Sequence, residues 1–168
     1  ESADPAWTSC GRYGSALDFD GSNDYVDLGD GSTLNLTGDF TLAAWVKRDS
    51  LNNTVCVFAS GTGNTSAYYH QFLLEIEPGY YYKSARACSR LVFSIGNSTK
   101  NGYFHQHTGA WDEFPEDSDW HHVAVTFSGS TSRLYVDGYA RTSVTGTSGS
   151  RLTSGVLDRR IGSRAGGL

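Results

Sequence analysis

The 168-residue chain contains no methionine, three prolines and three cysteines. Without methionine we do not expect a chain as translated from its own start codon. We expect a processed product or a piece of something longer, and the absence of a signal peptide fits removal and truncation equally. No window holds the roughly 18 consecutive apolar residues of a membrane span, and none sustains a helical period. No run of like charge occurs. The net charge is −5, and the basic cluster is the pair Arg159-Arg160. That argues against nucleic acid as a partner, because phosphate binding relies on clustered Lys and Arg. No cysteine spacing suits zinc. Cys56 and Cys88 fall in or beside predicted strands of the same half. Either a Cys56–Cys88 disulfide joins them, the pairing taken forward here, or both are buried thiols; Cys10 is left over.

What the chain has instead is glycine, 20 residues of it, among many Thr, Ser, Tyr and Val residues. This is the composition of short strands and frequent turns. The length suits one domain over 1–168, able to bury roughly 70% of its unfolded surface. The clearest stretch runs from Asp119 to Gly138. Val123, Val125 and Phe127 point one way on an extended chain, and His122, Ala124 and Thr126 the other. Leu134 and Val136 alternate with Arg133, Tyr135 and Asp137, and Asp137-Gly138 is a tight-turn signal, so a hairpin is expected. Further strands are predicted at 16–19, 25–28, 40–47, 55–59, 69–77, 91–95 and 156–161. Phe72, Leu74, Ile76, Leu91, Phe93 and Ile95 are expected inward, with Leu73, Glu75 and Glu77 outward. The strand at 40–47 is apolar on both faces and is expected centrally in its sheet. Residues 1–13 read as a lead-in, and 103–111 as an aromatic loop. Four glycosylation sequons, at Asn35, Asn52, Asn64 and Asn97, fit surface loops.

The run Trp120-His121-His122-Val123-Ala124-Val125-Thr126-Phe127-Ser128-Gly129, followed by Arg133-Leu134-Tyr135-Val136-Asp137-Gly138, resembles the signature hairpin of laminin-G-like domains in the concanavalin-A-like lectin/glucanase superfamily. Gly14 to Val26 resembles the opening strand and turn of that family, and Phe40 to Lys47 its next strand. The resemblance covers roughly residues 11–168. It implies an all-β, two-sheet antiparallel jelly-roll sandwich. It also implies a strand before residue 11 paired with one after Leu168, and the sequence shows neither. Three expectations follow: a longer chain, divergent terminal strands, or a gap filled by a neighbouring copy.

Three candidate sites stand out. At Asp20-Gly21-Ser22-Asn23-Asp24 a turn supplies carboxylate and amide oxygens, and the resemblance implies a structural calcium there, held by Asp20, Asn23 and Asp24; the alternative is an ordinary turn. The aromatic stretches with Tyr80, Tyr81, Tyr82, Tyr103, His105 and Trp111 offer faces for sugar rings, or for loop packing and subunit contact. Glucanases of this fold carry Glu-x-Asp-x-x-Glu on one strand. Glu75-Ile76-Glu77 is a near match, but Glu77 stands where Asp should and Tyr80 where the third acid should, so two solvated glutamates are expected and no enzyme. His121 and His122 face opposite ways on a strand and cannot share a ligand. We therefore expect a secreted, non-catalytic binding or adhesion module for a glycan or an extracellular protein. The alternative is a structural subunit that joins copies of itself into a filament by strand complementation.

Overall fold

The computed structural model describes residues 4–29, 34, 36, 38–61, 70–78, 89–96, 103–108, 114–145 and 158–163. Twelve strands lie among them: β1 (Ala6–Gly11), β2 (Gly14–Asp18), β3 (Val26–Asp27), β4 (Phe40–Val46), β5 (Val55–Gly61), β6 (His70–Glu77), β7 (Arg90–Gly96), β8 (Tyr103–Thr108), β9 (His121–Ser128), β10 (Thr131–Val136), β11 (Tyr139–Thr145) and β12 (Asp158–Gly162). Every pairing between them is antiparallel. One sheet has the order β11-β10-β9-β4 and the other β3-β12-β5-β6-β7-β8, while β1 and β2 form a hairpin belonging to neither. This is the two-sheet sandwich of the concanavalin-A-like jelly roll.

The period-two pattern decides what fills the space between the sheets. Phe72, Leu74 and Ile76 of β6 and Leu91, Phe93 and Ile95 of β7 meet Val123, Val125 and Phe127 of β9 and Leu134 and Val136 of β10. None of these is more than 1% exposed. Phe40 links the layers, with its ring centroid 5.5 Å from Phe72 and 5.5 Å from Phe127. Burying one such side chain stabilises the fold by about 1.5–3 kcal/mol. The β10–β11 turn is the expected tight one: Val136 pairs with Tyr139, and Asp137 and Gly138 have φ of 52° and 81°, as a type I′ turn requires.

Four expectations are corrected. The expected lead-in contains a strand, Ala6–Gly11, and it pairs with β2. The stretch 103–108 is not a loop but the outer strand of the six-stranded sheet, paired with β7. Strand β4 is not central. Among the described residues it lies at the edge of its sheet, and its Thr41, Ala43 and Trp45 are exposed on the outer face. The two apolar outer residues that suggested double burial, Ala43 and Trp45, are both exposed. Glu75 is not solvated but 3% exposed, because Gln71, Leu73, Glu75, Val92 and Ser94 on the second face of the six-stranded sheet are all buried. Glu77 is half-buried and holds the Arg90 guanidinium, which donates from Nε at 2.7 Å and also from Nη2.

The two margins of the sandwich differ. On one side β8 approaches β11. On the other, among the described residues, β4 pairs with β9 alone, and its core-facing Phe40, Leu42, Ala44 and Val46 are only partly buried. Asp39 fixes the start of this edge by accepting the Ser128 hydroxyl at 2.6 Å and the Gly129 N–H at 2.9 Å. No helix among the described residues is long and apolar enough to cross a membrane.

Candidate functional site: an aromatic groove on the four-stranded sheet

Register places Trp45 of β4 directly opposite His122 of β9 on the outer face of the four-stranded sheet. Their ring centroids are 5.3 Å apart at 60°. The turn of the β1–β2 hairpin lies over them. Tyr13 meets Trp45 edge-on at 5.5 Å, and the Arg12 guanidinium carbon is 5.2 Å from the Trp45 ring and 5.5 Å from Tyr13. Asp119, Trp120, His121, Asp137 and Gly138 complete an open groove of about 920 Å³. Trp45 is 37% exposed and Tyr13 74% exposed, so aromatic faces remain open to solvent beside cationic, anionic and imidazole groups.

The far wall, carrying Asp119, Asp137 and Gly138, is tied together by His121, whose side chain lies on the opposite face of β9 from His122. His121 Nδ1 is 2.8 Å from Asp137 Oδ2 and its Nε2 is 2.7 Å from Asp117 Oδ1. Asp137 Oδ1 also accepts the His122 N–H at 2.9 Å, and Asp117 Oδ1 the Asp119 N–H at 3.0 Å. Burial alone would lower the pKa of His121, but the two carboxylates outweigh it and raise the pKa above its ordinary value. Asp117 is held below the usual carboxylate range by its bond to His121. Burial works against ionisation of Asp137, yet His121 and the His122 N–H bring its pKa down as well. Behind this wall Arg48 is buried. It donates to Ser89 Oγ at 2.9 Å and to the Pro115 carbonyl at 3.3 Å, and lies 4.9 Å from the Phe114 ring centre. Burial lowers the pKa of Arg48, and Glu116 and Asp117 counter that loss.

The 20–24 turn is closed by its own carboxylates. Asp20 Oδ1 accepts the N–H groups of Ser22 at 2.7 Å and Asn23 at 3.3 Å, and Asp24 Oδ2 accepts the Asp20 N–H at 2.9 Å. The bond from Ser22 holds the Asp20 carboxyl low. Two carboxylates and one amide in five residues are hard oxygen donors that suit calcium, but they form only part of a shell of six to eight. Among the described residues no three His, Cys, Asp or Glu side chains are grouped to hold a metal.

Tyr80, Tyr81, Tyr82, Trp111 and Cys88 lie outside the described residues. Tyr103 and His105 stand on β8, opposite Gly96 and Ile95, in the sheet that does not carry the groove. Cys56 is buried against Ala59 and Leu73. Cys10 is exposed and free. Sequence reasoning missed Arg12, Tyr13, Trp45 and Asp137 as groove residues. The available signal was the period of two: Trp45 shares a face with Thr41, and that face continues the His122, Ala124, Thr126 face of β9.

The chain matches the Laminin_G_3 profile of the concanavalin A-like lectin/glucanases superfamily over residues 20–167, and it belongs to that family. No curated protein sequence matches it. Among solved structures it is similar to the Ruminococcus gnavus IT-sialidase CBM40, at 15% identity over 86% of this chain and 77% of that one, with a TM-score of 0.66. The same module bound to α2,3 sialyllactose gives 14% identity, the same coverage of 86% and 77%, and a TM-score of 0.64. Domain 4 of AbnA, a GH43 extracellular arabinanase from Geobacillus stearothermophilus in complex with arabinotriose, is 17% identical over 98% of this chain and 68% of that one, with a TM-score of 0.64.

Proposed function

We propose that this chain is a non-catalytic carbohydrate-binding module that acts outside the cell and holds sugar in the groove on its four-stranded sheet. The observation that carries this reading is Trp45, partly exposed and flanked by Tyr13, His122 and Arg12. A pyranose or furanose ring has apolar C–H faces that pack on aromatic rings and hydroxyls that need donors and acceptors. The groove offers both within one side-chain layer. The structures bound to sialyllactose and to arabinotriose support the same class of ligand for this fold. Calcium belongs to the proposal as a stabiliser of the Asp20–Asp24 turn, held by Asp20, Asn23 and Asp24, and takes no part in sugar contact.

The test is a screen of neutral and acidic oligosaccharides followed by calorimetric titration of the best binder. Covering about 80–100 Å² of Trp45 is worth about 2 kcal/mol, so Trp45→Ala is expected to weaken binding roughly 30-fold. Binding by the variant at the wild-type level would refute the placement.

A second reading, self-association by strand pairing, rests on a different observation. The edge of β4 is open among the described residues, and the β1–β2 hairpin stands outside both sheets with Trp7 77% exposed. Open edges invite a further strand. Analytical ultracentrifugation decides it: concentration-dependent large species support assembly, and a monomer up to high concentration rules it out.

A further inference from the structure

Both ring nitrogens of His121 face carboxylates at hydrogen-bond distance. A neutral imidazole has one N–H and one lone pair, so it satisfies only one of these carboxylates and turns its lone pair on the other. Only the imidazolium donates to both. The two carboxylates come from different parts of the chain, Asp117 from the segment before β9 and Asp137 from the β10–β11 turn. His121 therefore pins two elements together only when it is charged. We propose that His121 is a positioning residue whose protonation locks residues 117–119 against the β10–β11 turn and so fixes one wall of the groove. This rests on the groove being the binding site.

The surrounding contacts say which part would move. The first half of the segment is tied independently of pH: the Phe114 N–H donates to the Ser89 carbonyl at 3.2 Å, and Arg48 donates to the Pro115 carbonyl. Glu116 accepts the Ser89 hydroxyl at 3.3 Å. The second half depends on Asp117, whose Oδ1 holds both His121 and the Asp119 N–H. The charged groups around His121 are Asp117 on the preceding segment, with Arg48 acting on it from the end of β4, and Asp137 on the turn, with Arg141 of β11 acting on it. Phe114 covers the ring at 5.4 Å. Arginine does not titrate in the relevant range, and the carboxylates titrate far below it, so His121 is the group that switches.

The sign follows from the geometry and agrees with the raised pKa. The contribution of the clamp is complete below the ordinary histidine value of about 6.5 and is lost as pH rises through the higher folded value. Asp117→Asn supplies the discriminating variant. Its amide oxygen accepts from the imidazolium and from the Asp119 N–H as the carboxylate does, but without the negative charge that holds the proton on His121.

The experiment follows the His121 ring by NMR from pH 5 to 9.5, with amide exchange protection at 117–119, in the wild type, Asp117→Asn and His121→Phe. We expect wild-type His121 to titrate above 6.5, with protection at Asp119 falling about tenfold once it is neutral, the equivalent of one charge-assisted hydrogen bond. In Asp117→Asn the titration of His121 and the fall in protection should move together to lower pH, and His121→Phe should lack the protection at every pH. Titration of His121 at or below 6.5, or equal wild-type protection at pH 6 and pH 9, overturns the proposal. Neither readout needs a sugar, so a failed carbohydrate screen counts against the groove as a binding site and leaves these outcomes decisive for the clamp.

Discussion

Replacing Gly162 by alanine tests how tightly the end of β12 is fitted to the opening turn. Gly162 has φ of +89°, where side chains are rarely accommodated. A Cβ built there would lie 2.4 Å from Phe19 Cε1, 2.5 Å from Phe19 Cδ1 and 3.3 Å from the Asp24 carbonyl oxygen. Carbon atoms sit best at about 3.5–4.0 Å, so the overlap with the ring exceeds about 1 Å. The left-handed backbone costs alanine about 1–2 kcal/mol. Displacing the Phe19 ring adds about 1–3 kcal/mol. The total is about 2–5 kcal/mol, equivalent at this chain length to a fall of roughly 4–20 °C in Tm. Urea unfolding of the single variants and of Gly162→Ala/Phe19→Ala separates the parts. In the double variant the steric share disappears and the backbone share remains, so a coupling of about 1–3 kcal/mol is expected. A Gly162→Ala protein within about 0.5 kcal/mol of wild type would refute the reasoning.

Phe127→Ala removes a ring that is 1% exposed and stacked on Phe40. It should cost about 3–5 kcal/mol by equilibrium unfolding. Calcium at the Asp20–Asp24 turn should raise Tm by roughly 3–6 °C at about ten times its dissociation constant, an effect read by calorimetry with calcium and then with chelator. Asp24→Asn should abolish that rise, and an unchanged Tm in the wild type would remove calcium from the account.

The hydrophobic pattern made the sandwich legible. Each inward residue named on β6, β7, β9 and β10 is in the core, because strict alternation admits only two faces and one is apolar. The signature hairpin and its Asp137-Gly138 turn were equally readable, since the turn needs positive φ twice in succession. Strand β4 was misread because Ala43 and Trp45 on its second face are apolar, and alanine is compatible with both a buried and an exposed face. Strand β8 was hidden because Tyr103, Phe104, His105 and His107 have no clean period, and its place is set by pairing with β7. The buried second face around Glu75 could not be seen either: a charged residue in an alternating pattern reads as solvent-facing until the tertiary structure covers it. The groove escaped for a related reason. Its residues come from the β1–β2 turn, β4, β9 and the β10–β11 turn, stretches up to 126 positions apart from Arg12 to Gly138, and no local motif announces such a meeting. His121 and His122 were read as facing opposite ways, and the structure keeps them so, one against two carboxylates and the other against Trp45.

The central claim is that sugar sits on Trp45, and the most direct measurement follows the indole N–H signals of the tryptophans by NMR as an oligosaccharide from the screen is titrated in. Trp7, exposed on the hairpin and absent from the groove lining, is the internal control. The account predicts that the Trp45 signal moves saturably and that of Trp7 stays in place. Saturable binding that leaves Trp45 unmoved would contradict it.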